Sequence, residues 1–582
     1  MSSVAVRRRR RRVLWGVGGG VLALAVVATG WVGLRAWQAS QELTALAPMV
    51  AEAQAAASAR DSERIGELLI DIGAHADRAA ELSSTPIWRA VEVVPGLGPN
   101  LEALRAVSEQ LSSVADAVAE PAQTLLAMEP AALDVGSLRA QEKPLAAAAS
   151  ALATARDTLN AIQTDRLLAP LARGVTELTP VIDALASATD GLADAAAVLP
   201  GLAGADGPRT ILVMLQNSAE LRTGGGITGT FAEIRAEDGE FTLVRQVDSS
   251  QFEHLAAPIV PLPAATVALY GDVVGRFVQN ATMPADFALS AQLALAWWER
   301  SQGTTPDAII AVDPLVVKAL IAATGPVALT DGSTLDADGL VQRLLVDPYL
   351  HLDSDAQTAL QREVTASVVA ALVARVDPVV WAAALADPVA AGRVSVWSAV
   401  SAEQRVLAAT AVGGPLARLD AAGPSAYGVF LNDATGGKMD SHLGVALSAE
   451  NSCAGESVVT VTLSHTADAA AVAAYPMSMT GGGLWGTGAG DIGTTVTVAA
   501  PVGSVFGGAT GEEGRLPSVD VVADGHPSTA VRVNISPGQT ESVQFRFTQT
   551  RASSPVPAPV LVHTPTLTPV ESQTPDSTRP CA

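Results

Sequence analysis

The chain predicts a multi-domain protein: an N-terminal transmembrane helix, an α-helical stalk or bundle, a mixed α/β domain and a C-terminal β-sandwich. Three observations predict it. An uncharged apolar run from Val13 to Leu34 follows a block of arginines, Arg7 to Arg12. An Ala-rich stretch with apolar residues at helical spacing comes next. Beyond about Pro200, β-prone and helical segments alternate, and then β-prone runs separated by Gly-rich turns take over.

The run from Val13 to Leu34 would measure about 33 Å as a helix, close to the roughly 30 Å hydrocarbon core of a bilayer. Trp15, Trp31 and Trp37 stand at or near its ends, where amphipathic rings favour the headgroup layer. The arginine block predicts a cytoplasmic tail over 1–12, a span over 13–34, and export of the remainder. A cleaved signal peptide is the rival reading. Its apolar core is usually shorter, Arg35 and Trp37 follow directly, and an Ala-x-Ala-like site is not obvious after Leu34. The expectation is therefore a single-pass protein of the cell membrane with its bulk extracytoplasmic.

Net charge is -23, which excludes nucleic acid as a natural partner because phosphate binding needs a basic surface. The acidity serves solubility. Two cysteines, Cys453 and Cys581, exclude a disulfide framework and leave either one bridge or two unpaired thiols. Mean hydropathy is +0.31. After residue 35, however, Asp, Glu, Arg, Gly or Pro interrupts the Ala- and Val-rich sequence every few positions, so no second span is expected.

Residues 38–199 read as a helical stalk or bundle. Ile65, Leu68, Leu69 and Ile72 recur at i, i+3, i+4 and i+7, and Leu104, Val107, Leu111, Val114 and Val118 form a heptad-like seam. Pro95, Gly96, Gly98 and Pro99 punctuate them as a loop between antiparallel helices would. Residues 200–440 read as the mixed α/β domain. Strands are predicted at 211–215, 308–312, 326–329 and 427–431, and a hairpin over 231–247 turns at Asp238-Gly239. Helices are predicted at 286–300, 314–323, 336–345 and 355–375. Residues 445–550 carry alternating runs, such as Ser457 to Ser464 and Ser542 to Thr548, that predict the sandwich. The Pro/Thr/Ser-rich tail, 551–582, is predicted to be disordered.

The segment LQNSAELRTGGGITGT, Leu215 to Thr230, resembles the signature of a family of bacterial envelope proteins known as domain of unknown function 4012. The family pattern has Asn-x-x-Glu-x-Arg, then a Gly pair, then a further Gly. Here these positions are Asn217, Glu220, Arg222, Gly224 to Gly226 and Gly229. Thr85 to Asn100 and Pro306 to Gly332 also resemble the family. The resemblance implies envelope placement and lends no activity. More distantly, the element order from Ile211 to Arg375 is similar to the LytR-CpsA-Psr family, whose members move polyprenyl-linked glycopolymers onto the cell wall. That likeness sets Ile211 to Leu215, Arg222, Thr228 to Thr230, Asp248, Val312-Asp313, Gly325 to Val327, and Asp355 with Arg362 at the positions of that family's elements. Gly229, Ile227 and Val247 stand where its Asp and two Arg residues would be, depleting the diphosphate clamp and metal site.

Arg222 beside Gly224, Gly225 and Gly226 is the leading ligand-binding candidate, because a planar guanidinium next to exposed backbone N–H groups suits phosphate. The alternative is a structural turn with Arg222 paired to a carboxylate. Asp248 and Arg362 complete the catalytic candidates. Asp353 and Asp355, in HLDSD, are weak metal candidates, since alternating carboxylates can hold Mg²⁺; equally, one of them can cap a helix. Trp297 and Trp298 read as core packing, with a lipid or glycan contact as the alternative. No P-loop, zinc spacing or Gly-x-Ser-x-Gly elbow is present. The expected function is binding, or assisting assembly of, an envelope glycopolymer or lipid-linked glycan. The alternative is Mg²⁺-dependent phosphotransfer from polyprenyl-diphosphate-linked glycans.

Overall fold

A computed structural model describes residues 3–59, 61–127, 134–374, 378–549 and 557–574; the side chains of residues 3–25, 54, 57–59, 62, 126–127 and 378–379 lie outside what is described. The chain divides into two compact units, one formed by 1–129 with 136–197 and the other by 130–135 with 198–582.

The first unit is helical. Its long helices are Ser3–Ala59, Ser62–Ser83, Gly98–Ala127, Glu142–Ala161 and Ala169–Leu202, the last ending in the second unit. The predicted seam is the core. Val107 and Val114 are buried with Leu152, Leu159, Val175 and Ile182, while Leu111 and Val118 pack against them. Asp61 and Thr85 cap helix starts by accepting backbone N–H bonds from Arg64 and Trp88, which satisfies amides a helix start leaves open.

The N-terminal expectation is corrected. Among the described residues no helix is long and apolar enough to cross a membrane, so a transmembrane helix at 13–34 does not stand. The side chains of 1–12 and 13–25 lie outside the described residues. The described remainder of the run, 26–34, would span only about 13 Å and continues without a break through Arg35. Val32, within it, is buried with Ala39, Trp88, Val91, Leu101 and Leu104. That side chain meets neighbouring helices of its own unit.

The second unit opens with a five-stranded sheet. Its strands are β1 Arg209–Asn217, β2 Ile227–Glu237, β3 Glu240–Asp248, β4 Ala308–Val312 and, after a small ribbon of β5 Val327–Ala328 and β6 Thr334–Leu335, β7 Val394–Ser398. The order is β3-β2-β1-β4-β7. The β2–β3 hairpin turns at Asp238 and Gly239, with φ of 49° and 83°, as a tight two-residue turn requires. Only β1 and β4 run parallel, and helix Phe287–Gln302 lies in their crossover. Side-chain alternation gives the sheet two faces. Leu212, Met214, Ile309 and Ala311 bury Trp297 and Trp298 against Phe231 and Phe252. Those two tryptophans are 1% and 0% exposed, which selects the core reading for them. Val312 and Val394 instead join helices Pro314–Thr324 and Ser354–Val373 through Val316, Leu320, Val364 and Val368. Where a helix is predicted at 336–345, the chain forms a π-helix over Gln342–Val346 that runs on into a short α-helix, Asp347–His351.

The sandwich comprises β8 Ala426–Asp433, β9 Leu443–Asn451, β10 Glu456–His465, β11 Ile492–Ala499, β12 Ser504–Gly511, β13 Gly514–Arg515, β14 Val519–Ala523, β15 His526–Ile535, β16 Thr540–Gln549, β17 Val560–His563 and β18 Glu571–Gln573. The two sheets are ordered β14-β15-β11-β8-β17 and β13-β12-β16-β10-β9-β18. Their facing valines, leucines and phenylalanines, among them Val429, Val496, Val531, Val459, Phe545 and Phe547, form one core.

Two expectations change here. The segment around 427–431 is not the end of the α/β domain: all eight residues of β8 are buried, and β8 pairs with β11 and β17 inside the sandwich. Nor is the tail structureless across 557–574. Val560 to His563 adds in parallel to β8, and Glu571 to Gln573 adds to β9. A strand edge leaves backbone donors and acceptors unmet, and a short apolar stretch between prolines is enough to occupy it. Cys453 is disulfide-bonded; the chain's other cysteine, Cys581, lies outside the described residues.

Candidate functional site

The segment 215–230 leaves the end of β1, loops, and returns as β2. Asn217 starts the loop: its side chain accepts from Ala219 N and donates to the Tyr349 hydroxyl at 3.1 Å. Glu220 pairs with Lys438, and the Lys438 ammonium lies 4.7 Å from the Tyr349 ring centroid. Leu221 N donates to Asp440 Oδ2 at 2.8 Å.

Arg222 is 8% exposed. Its Nε and Nη2 donate to Asn280 Oδ1 at 3.2 and 2.9 Å. Its Nη1 donates to the carbonyls of Leu221 and Asp433 at 2.7 and 3.2 Å, and the Asp433 carboxylate lies 3.9 Å away. The guanidinium is thus enclosed by protein acceptors, chiefly an amide oxygen and two carbonyls, where the structural reading expects a carboxylate.

The glycines are likewise committed. Gly224 N donates to Thr282 O, Gly225 N to Arg222 O, and Ile227 N to Glu220 O. Thr282 Oγ1 donates to Gly226 O. Gly225 sits at φ +118°, and a Cβ on Gly226 would come within 2.3 Å of Asn217 O. Only glycine fits both places. An anion nest needs N–H groups aimed at open space; these three aim at carbonyls.

The charges near the loop are out of balance. Glu220, Asp433 and Asp440 share the region with Arg222 and Lys438. Burial pushes the Asp440 carboxyl well above the usual range, and the nearby charge of Asp433 pushes the same way; the Leu221 N–H and Arg222 oppose both. Burial alone would lower Lys438, but Glu220 and Tyr349 outweigh it, and its value is raised.

A second buried pair lies at Asp313. Its carboxylate caps helix Pro314–Thr324 by accepting from Leu315 N and Val316 N, and it pairs with Arg393 at 2.5 Å. Arg393 also donates to Thr566 O at 2.6 Å. The tail strands thereby reach the same region: Thr564 Oγ1 donates to Thr223 O and accepts from Leu431 N.

The other sequence candidates sit elsewhere. Asp248 accepts from Ser250 N and caps the short turn after β3. Asp353 caps helix Ser354–Val373 by accepting from Ala356 N. Asp355 and Arg362 are exposed on that helix. Among the described residues no group of three or more His, Cys, Asp or Glu is placed to hold a metal. Sequence reasoning missed Lys438, Asp440, Asn280 and Tyr349. One signal was available: Lys438 is one of three lysines in the chain, and it sits beside an aspartate in Gly436-Gly437-Lys438-Met439-Asp440.

No curated protein matches the chain. The likeness to the LytR-CpsA-Psr family is not shown. The glycine loop and its buried partner Tyr349 fall inside a stretch that a known family model covers: residues 206–349 match the family described as a protein of unknown function (DUF4012).

Proposed function

We propose that the chain is an extracytoplasmic, non-catalytic protein that binds a cell-envelope glycan or assists its assembly. One observation carries the choice of binding over phosphotransfer. Arg222 and the N–H groups of Gly224 and Gly225, the natural clamp for a diphosphate, are spent on internal carbonyls and Asn280. A clamp whose donors are already satisfied offers a phosphate no net gain, since each new bond would replace an existing one. The disulfide at Cys453 supports residence in an oxidising compartment.

Purified full-length protein, mixed with cell-wall glycan and separately with a polyprenyl-diphosphate-linked glycan plus Mg²⁺, tests the reading. Retention on the glycan with no release of polyprenyl phosphate is expected. Mg²⁺-dependent release that Arg222→Ala abolishes would replace this reading with the phosphotransferase.

A further inference from the structure

Between β10 and β11 the chain runs MSMTGGGLWGTGAG, Met477 to Gly490, without one charged residue. Trp485 is 71% exposed, flanked by Leu484 at 51% and Met477 at 66%. Large aromatics normally bury most of their surface, so an indole held in water is informative. Its backbone is also unusual: Trp485 sits at φ +63°. A bulky residue in the left-handed region is strained and persists only where its surroundings impose it.

Arg532 Nη2 donates to Trp485 O at 2.6 Å. Thr487 Oγ1 donates to Leu484 O, Asp491 accepts from Gly488 N, and Gly490 N donates to Thr480 O. Lys438 N donates to Met479 O, and Ser478 Oγ donates to Tyr349 O, so the loop is anchored beside the buried charges of the family segment. The anchors hold the backbone and leave the indole outside.

Resting on the glycan-binding reading above, we infer that Trp485 is the stacking platform for a neutral pyranose of the envelope glycan. A pyranose offers a face of C–H groups rimmed by hydroxyls. The loop offers a flat indole bordered by the exposed backbone of Gly482, Gly483 and Gly486, whose peptide groups can exchange hydrogen bonds with hydroxyls. A lipid tail fits worse, because peptide groups carried into hydrocarbon lose their water without replacement. An anionic polymer fits worse too: the loop itself is uncharged, the neighbouring cation Arg532 already donates to Trp485 O, Ala434 O and Asn534 Oδ1, and the chain carries a net charge of -23.

The test uses the full chain and peptidoglycan sacculi stripped of anionic polymer, with phosphatidylcholine vesicles as the second probe. Wild type is expected to be retained on sacculi. Trp485→Ala should weaken retention roughly tenfold, and Trp485→Tyr should restore most of it, because stacking needs a ring face. Unchanged melting of both variants shows that the fold is intact. Wild type retained and Trp485→Ala retained equally would overturn the platform while leaving glycan binding standing. Wild type not retained at all would overturn glycan binding itself. Vesicle binding that Trp485→Ala removes, without an effect on sacculi, would reassign the loop to lipid.

Discussion

Glu220 and Lys438, 218 residues apart in the chain, meet as a buried ion pair against the ring of Tyr349. The pair ties the family segment to the turn after β8. Buried pairs add little over an apolar contact, but removing one partner strands the other. Lys438→Met should therefore cost about 3–5 kcal/mol, read as a lower denaturant midpoint. Glu220→Gln combined with Lys438→Met should recover much of that loss. A double variant no better than the single one would show that the pair is not a unit.

Arg222 yields a prediction opposite in kind to the one its sequence context invites. It donates to Asn280 and to two backbone carbonyls, so Arg222→Ala leaves buried acceptors unmet. Hydrogen bonds from a charged donor are worth about 1.5–3 kcal/mol each. The variant should lose stability by at least that amount while its glycan retention per folded molecule stays unchanged. Retention abolished at unchanged stability would return Arg222 to the ligand.

Asp440 sets a pH dependence whose sign follows from its raised value. The folded state holds a proton that the unfolded chain releases near the ordinary aspartate value of 3.8. The stabilising contribution is full below that value and is lost as pH rises from there through the folded value. Facing groups are Asp433, Glu220, Arg222 and the Leu221 N–H. Asp440→Asn keeps an acceptor for Leu221 N without the charge. Its stability should fall less than that of wild type as pH rises above 3.8, measured by denaturation over a pH series starting below that value. Parallel curves would mean that Asp440 ionises freely.

The layered architecture was legible because its signals are local. Asp238-Gly239 announces a hairpin, and the spacing of Leu104, Val107, Leu111, Val114 and Val118 announces a packed helix face. Composition could not reveal strand partners. The segment at 427–431 reads equally well as the last strand of one sheet or the first of the next, and only the pairing of β8 with β11 decides. The tail misled for a related reason: Val560 to His563 has no core of its own and borrows the edge of β8. Arg222 and its glycines were visible as a unit, but their role depends on Asn280, Asp433 and Asp440, which are distant in sequence and carry no shared spacing. The run at 13–34 shows the limit of a hydropathy argument, because Val32 there finds neighbours on other helices.

That borrowed edge can be tested by truncation. A chain ending at residue 556 lacks β17 and β18 and removes the acceptor Thr566 O from Arg393. Both β8 and β9 then present open edges, which invite pairing between molecules. Sedimentation should show concentration-dependent association of the truncated chain where full length stays monodisperse. An unassociated, equally stable truncated chain would make the tail dispensable.

The strain at Trp485 separates stability from binding. A non-glycine residue in the left-handed region costs about 1–2 kcal/mol, and glycine's extra freedom in the unfolded chain returns about 0.4–1 kcal/mol of that. Trp485→Gly, which removes a side chain already 71% exposed, should therefore raise stability by up to about 1.5 kcal/mol. The same change should remove the stacking face and lower sacculus retention. A gain in melting temperature together with a loss of retention is the signature of a residue kept for contact at the expense of the fold. If Trp485→Gly lost stability instead, the indole would be packing against the protein, and its exposure would have no functional meaning.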